Sequence, residues 1–372
     1  MDADRGIIRI SVRNLVEFVM RSGDIDNRRT SAAEKDAMQA GSRMHRKIQK
    51  RQGADYHAEV PMKHTVEQED YRILVEGRAD GVIEAVSGVT IDEIKCVYLD
   101  IHQLEEPLTL HLAQALCYAY MYCADHENIN SITIQITYCN LETEEIRRLK
   151  QDKTREELEE WFQGLIHEYV KWAKYLYHHT LRRNESLREL QFPYEYRTGQ
   201  KELAVSVYRA LARRRNLFIQ APTGIGKTLS VVYPSLKSMG NGTGEKLFYL
   251  TAKTITGSVA ENCFSLLRGQ GMLFTTVTVT AKEKLCPMEK TECNPDACPY
   301  AKGHFDRVND AVFDIIHEKH GITREILLEY ADRYQVCPFE FCLDISSWAD
   351  GIICDYNYVF DPNARLKRYF AE

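Results

Sequence analysis

Asn216-Leu-Phe-Ile-Gln220 is a short apolar run that opens directly onto Ala221-Pro-Thr-Gly-Ile-Gly-Lys-Thr228. The pattern predicts a strand, a glycine-bearing loop and a helix, the frame in which backbone N–H groups reach a polyphosphate. Gly224 and Gly226 let the backbone close on the phosphates, Lys227 meets their charge, and the Thr228 hydroxyl suits a Mg2+ ion, with Thr223 in the same loop. ATP with Mg2+ is therefore the expected ligand. Ala221 stands where the general pattern has Gly, so the reading rests on the context of strand before and helix after. A chance Gly-Lys-Thr turn is the bland alternative.

Working outward, Lys246 to Thr251 reads as a second strand and Gly351 to Cys354 as a buried one, so the fold class predicted is α/β. Residues from about Ala281 to Phe341 break this alternation with closely spaced Cys, Pro and charged residues and read as an insertion. Upstream, Lys153 to Arg183 has the composition of a long amphipathic helix, and Arg182 to Glu189 is the candidate linker.

The form Ala-Pro-Thr-Gly-x-Gly-Lys-Thr resembles motif I of superfamily 2 helicases. Phe192-Pro-Tyr-Glu-Tyr-Arg-Thr-Gly-Gln200 resembles the adenine-recognition segment of the XPD/DinG-like helicases in that superfamily. The resemblance implies that an aromatic ring stacks on adenine, with Tyr196 and Arg197 at the nucleotide, while Gln200 reads the base edge. A packed linker is the plain alternative. Leu250-Thr-Ala-Lys-Thr254 sits where motif Ia holds single-stranded nucleic acid, and its hydroxyl and ammonium groups are suitable phosphate partners.

Cys286, Cys293, Cys298 and Cys337 could close a tetrahedral zinc site, hold an iron–sulfur cluster or remain core thiols, and their spacing alone does not choose. The XPD/DinG-like resemblance implies a [4Fe-4S] cluster, with the last cysteine in the Cys-Pro-aromatic context seen in Val336-Cys-Pro-Phe339. Cys342 and Cys354, among apolar neighbours, read as buried. The Asp-Glu-Ala-His motif that such ATPases use to hold Mg2+ and orient water does not occur in this sequence. The chain is thus expected to be the amino-terminal part of a longer helicase, or a natural short form keeping another activity.

The first part of the chain carries a second constellation. His45 lies on a predicted helix, and Gly77-Arg-Ala-Asp-Gly81 is followed by Ile91-Asp-Glu-Ile-Lys95. Asp80 falls near one strand end while Glu93 and Lys95, two apart, share a face of the next. Two carboxylates at one sheet edge suit Mg2+ or Mn2+, and an adjacent Lys suits phosphate charge. Salt-bridged surface strands are the alternative. The ordered set resembles the RecB-like branch of the PD-(D/E)XK nucleases, which implies a metal-dependent site with His45 in the metal shell and Gln114 and Tyr118 on the following helix. Ala79 replaces the Pro of that signature, and Glu59 is a secondary candidate. Cys96, Cys117, Cys123 and Cys139 read as core thiols.

Further expectations follow from the rest of the sequence. About Ile10 to Arg51 reads as helical, Tyr71 to Val97 as strand broken by Gly77, Gly81 and Gly88, His111 to Cys123 as helix, and Ser131 to Tyr138 as a half-buried strand. With 372 residues, two domains are expected, here residues 1–185 and 190–372. The net charge of -6 argues against coating nucleic acid through bulk positive charge, so contacts must be local, and the arginine runs at 182–183 and 213–215 read first as solvated faces. No membrane segment and no secretory pattern are read, so a cytoplasmic location is expected, with the eleven cysteines reduced. The function predicted is ATP-dependent 5′ to 3′ DNA unwinding by the full-length parent, with metal-dependent cleavage by the first domain, acting in repair on single-stranded or forked DNA. A nucleic-acid and ATP-binding module without catalysis is the competing reading.

Overall fold

The computed structural model describes residues 5–29, 34–222, 224–252 and 254–370. The chain forms two compact units, one of Met1–Arg21 and Arg28–Tyr177, the other of Ser22–Asn27 and His178–Glu372. Among the described residues no helix is long and apolar enough to cross a membrane.

The first unit contains β1 (Ile7–Ser11), α1 (Val12–Val19), α2 (Glu34–Gln49), β2 (Tyr56–Glu67), β3 (Arg72–Ala85), β4 (Gly88–Val97), α3 (Thr109–Asp125), β5 (Ser131–Asn140), β6 (Ile146–Thr154) and the start of α4 (Arg155–Glu189). Ser11 ends the first strand and caps the first helix, its Oγ accepting the Asn14 N–H at 3.1 Å. The single helix expected from about residue 10 to 51 is therefore a strand and two helices. Its apolar positions serve two different periods, which a continuous helical reading merges.

The sheet runs β1-β3-β4-β5-β6, with β2 on the other edge of β3. Along one edge, β3 changes partner: residues 72–76 pair with β1 in parallel and residues 81–85 with β4 in antiparallel register. Residues 77–80 have neither as neighbour, while β2 continues along the opposite edge. Gly77 and Gly81 do not interrupt the strand, contrary to expectation; Gly88, at φ +136°, does mark the turn into β4. Met44 and Ile48 of α2 pack with Ile94 and Cys139. Gln114 of α3 meets Lys95, so the two helices address residues of opposite parity on β4.

The second unit contains the end of α4, α5 (Gln200–Ala212), α6 (Lys227–Gly240), β7 (Leu247–Thr251), α7 (Thr254–Arg268), β8 (Thr276–Thr278), α8 (Lys282–Leu285), α9 (His304–Glu318), β9 (Gly321–Ile322), α10 (Arg324–Tyr334), α11 (Pro338–Trp348), β10 (Gly351–Asp355), α12 (Asn357–Phe360) and α13 (Lys367–Phe370). Its sheet is parallel throughout, in the order β7-β10-β8-β9. Its core joins Leu187, Val232, Leu236, Phe264, Phe274 and Ile353. Helices on a parallel sheet give the α/β class the sequence predicts.

Two expectations fail here. Arg182 to Glu189 is not a linker but the last turns of α4, where Leu187 is fully buried. Asn216 to Gln220 is not a strand: it makes no ladder pair, and Phe218 is 95% exposed. Apolar composition favours a strand only where a neighbour satisfies its backbone groups, and the described sheet offers this run none.

Candidate functional site

The partner exchange on β3 creates a fork. Gly81 pairs with Asp92 as the last rung of the β3–β4 ladder, so Asp80 and Glu93 stand opposite each other where the strands part. The Asp80 Oδ2 accepts the Ile94 N–H at 2.7 Å, taking the place a backbone carbonyl would hold had the ladder continued. From α2, His45 Nε2 lies 2.7 Å from the Ile94 carbonyl and Nδ1 lies 3.6 Å from Asp80 Oδ1. With Nε2 donating, the Nδ1 lone pair faces a carboxylate oxygen, a repulsive arrangement unless a proton or cation lies between.

From β4 and α3, Lys95 Nζ donates to Glu93 Oε1 at 2.8 Å and to Gln114 Oε1 at 2.6 Å. Glu93 is buried, and its Oε2 has no hydrogen-bond partner. Burial pushes the Asp80 and Glu93 carboxyls well above the usual range; the Asp80 charge raises Glu93 further, and the Glu59 and Asp92 charges raise Asp80. An orphaned buried carboxylate oxygen costs about 1–3 kcal/mol or more unless something positive meets it. A divalent cation fits that need, and the oxygen-rich donors suit Mg2+ or Mn2+.

The two glycines flanking Asp80 have a packing reason. A Cβ on Gly77 would meet Tyr118 Oη at 2.7 Å, and one on Gly81 would meet the Tyr56 ring at 2.1 Å. Tyr118 therefore lies across β3 at Gly77. Tyr56 reaches the Asp80 carbonyl and Asp92 Oδ2, both at 3.3 Å. Asp92, fully buried, also accepts from Gln135 at 2.8 Å and Thr137 at 2.5 Å. Sequence reasoning missed Tyr56, Asp92 and Gln49. Gln49 follows His45 by one helical turn, a spacing that could have flagged it, and its Nε2 donates to the Asp80 carbonyl at 2.9 Å and Glu59 Oε1 at 3.1 Å.

In the second unit, Gly224 and Gly226 adopt φ values of +86° and +80°, conformations that favour glycine, and Lys227 and Thr228 begin α6. Lys227 Nζ donates to the Ala221 and Pro222 carbonyls at 3.0 and 2.8 Å. Thr223 lies outside the described residues, as does Lys253 of the Leu250 to Thr254 segment. The structure brings the upstream segment to this loop: Arg197 Nη1 donates to the Gly224 carbonyl at 2.6 Å. Gln200 accepts the Arg197 N–H at 3.0 Å and lies so close that a Cβ on Gly226 would meet its Nε2 at 2.6 Å. Phe192 and Tyr196 stack at 4.1 Å between centroids, and Tyr196 remains 39% exposed.

Cys286, Cys293, Cys298 and Cys337 line one cavity. Pro338 opens α11, which leaves Cys337 at the cap, where the Phe339 and Glu340 N–H groups point at its sulfur. Lys282 lines the same cavity and carries a positive charge beside Cys293. Such surroundings suit thiolate ligands. Ile25 covers the cavity, on the short segment Ser22–Asn27 that belongs to this unit. That segment is clasped by Ile25 N–H to the Ala301 carbonyl and Asn27 N–H to the Cys293 carbonyl, each at 2.9 Å, and by Gly303 N–H to Asp24 at 2.6 Å. Cys342 and Cys354 are buried, as are Cys117, Cys123 and Cys139, while Cys96 is half-buried.

Residues 272–370 match the DEAD_2 family model. The chain is 43% identical over 47 residues to the "Probable ATP-dependent helicase MJ0942" of Methanocaldococcus jannaschii, covering 12% of this chain and 7% of that protein. It is 22% identical over 228 residues to the "Regulator of telomere elongation helicase 1 homolog" of Caenorhabditis briggsae, covering 50% and 23%. The chain thus spans less than a quarter of the length of these relatives. Solved structures with partial likeness include "Truncated XPD", at 17% identity over 46% of this chain and 48% of that one with a TM-score of 0.32. "Crystal structure of SSO0001" is another, at 16% identity over 42% and 74% with a TM-score of 0.28. The sequence similarity is to ATP-dependent helicases.

Proposed function

We propose that the chain is part of a DNA-processing enzyme that joins an XPD/DinG-like ATP-dependent helicase motor, in the second unit, to a metal-dependent nuclease of the PD-(D/E)XK type, in the first. The observation that carries the nuclease is the convergence of Asp80, Glu93, Lys95 and His45 at the β3–β4 fork, with Glu93 Oε2 buried and unpartnered. Asp80, Glu93 and His45 would hold Mg2+ or Mn2+, which when bound supplies Lewis acidity toward a phosphodiester and acidifies a water. Lys95 offsets the charge that develops on the phosphate. Gln114 fixes the Lys95 ammonium, and Tyr118 supports the β3 edge that carries Asp80.

The helicase part is supported by the family match over residues 272–370 and by the union of Arg197 and Gln200 with the phosphate loop. ATP and Mg2+ would sit at Gly224 to Thr228, and the four thiols around one cavity would hold a [4Fe-4S] cluster. Among the described residues, the group with ligand atoms gathered within 4.8 Å, as for one ion, is His45, Glu59 and Asp80 rather than the thiols. Thiols spread around a cavity suit a cluster better than a single tetrahedral zinc ion. DNA, single-stranded or forked, is the proposed substrate.

Incubating the whole chain with end-labelled single-stranded DNA and Mn2+ tests the nuclease. Cleavage is expected, with loss in Asp80→Ala and Lys95→Ala; no cleavage with either Mn2+ or Mg2+ would leave only the binding-module reading.

A further inference from the structure

We infer that Glu59 is a ligand of the cation at the β3–β4 fork, so that the site draws a carboxylate from β2 as well as from β3 and β4. This rests on the reading of the fork as a divalent-cation site.

The register places Glu59 there. Ala58 pairs with Gly81 and Val60 with Ala79, so Glu59 stands across from Asp80 at the position the ladder skips. Its backbone takes φ +56°, in the left-handed region that a non-glycine residue occupies at a cost. One donor atom each from His45, Glu59 and Asp80 fall within 4.8 Å of one another. The second, independent sign of a ligand is the buried Glu93 Oε2, unpartnered at the same fork. Glu59 itself is held only loosely, by Gln49 at 3.1 Å and by Arg78 at 3.8 Å, and its side chain is 49% exposed, which leaves it free to turn onto a cation.

His45, Glu59 and Asp80 supply one imidazole nitrogen and two carboxylates, and with Glu93 added from the β4 side of the fork the proposed donor set is one nitrogen and three carboxylates. Such a set takes a hard divalent cation, and the nitrogen favours Mn2+ over Mg2+. Three carboxylates on one divalent ion leave excess negative charge, which Lys95 offsets from the Glu93 side.

The test is Mn2+ binding by the metal-free whole chain, read from loss of the free-ion paramagnetic resonance signal. Wild type is expected to bind, Asp80→Asn to lose binding, and Glu59→Gln and Glu59→Gly to bind about tenfold more weakly or worse. Glycine relieves the positive φ, so Glu59→Gly should melt at or above the wild-type temperature without metal, which separates a lost ligand from a damaged fold. Wild-type Mn2+ affinity in both Glu59 variants, with loss in Asp80→Asn, would overturn the role of Glu59. That result would stand even if the variants melted early, since it assigns Glu59 to structure alone. Equal binding by wild type and Asp80→Asn would instead overturn the cation site itself.

Discussion

Asp80 and Glu93 face each other one step beyond the last rung of the β3–β4 ladder, and Lys95 holds one Glu93 oxygen while the other has no partner. A raised carboxyl favours the folded state only while protonated, so its contribution is full below the ordinary carboxylate range and is lost as pH rises through the elevated folded value. Above neutral pH the metal-free protein therefore carries a charge it would be more stable without. Glu93→Gln should stabilise the metal-free protein in chelator at pH 8 by on the order of 1 kcal/mol, seen as a higher melting temperature, and abolish the stabilisation by Mn2+. Calorimetry with and without Mn2+ checks both signs.

Asp350 presents the opposite case. Burial alone would raise its carboxyl, but the hydrogen bond from His179, the neighbouring His179 and Arg183 and the Thr275 N–H together hold it below its usual value. The two side-chain bonds and the amide bond are each 2.8 Å. A depressed folded value gives stability above the unfolded value, near 4 by the usual range for Asp, and this stability is lost as pH falls through the folded value. Asp350→Asn should destabilise the second unit by about 3–5 kcal/mol at pH 7, by leaving Arg183 buried without its counter-charge. The difference from wild type should shrink in urea melts at pH 3.

Gly81 should not tolerate a side chain. Gly81→Ala would drive a methyl group into the Tyr56 ring and displace it from the Asp80 carbonyl and Asp92. Overpacking of this kind costs about 1–3 kcal/mol, measured as a lower urea midpoint with unchanged slope. An undiminished midpoint would mean that Tyr56 does not pack across β3.

Ile25 should govern the cysteine cavity. Ile25→Asp places a charge against Cys298, Cys293 and Cys337, so, on the cluster reading proposed above, purified protein should hold less iron and lose its visible absorbance faster in air. Ile25→Leu should match wild type. Equal iron content and decay in the aspartate variant would refute the covering role.

Lys227→Ala should weaken a fluorescent ATP analogue by tenfold or more, about 1.4 kcal/mol, because the ammonium now on two loop carbonyls would no longer meet the phosphates. Gln200→Ala should weaken it as well by freeing the loop at Gly226.

Local chemistry sufficed for much of this protein. Ser131 to Tyr138 is legible as the strand β5, although residues 134–140 are all buried where alternation implies a half-buried strand; the Gly-Lys-Thr loop announces α6, and Gln114 is expected at the site only through the nuclease resemblance. The fork could not be read that way, because it depends on β3 exchanging β1 for β4 along one edge, a pairing between residues distant in sequence. Glu59 and Gln49 join the site only through that pairing, and Ile25 reaches the cavity only because Ser22–Asn27 belongs with the second unit. The exposed Leu217 to Ile219 run makes the same point from the other side. Side-chain type and spacing determine what a segment can form, but whether backbone groups find a neighbour, and which carboxylates meet, is decided by the tertiary fold.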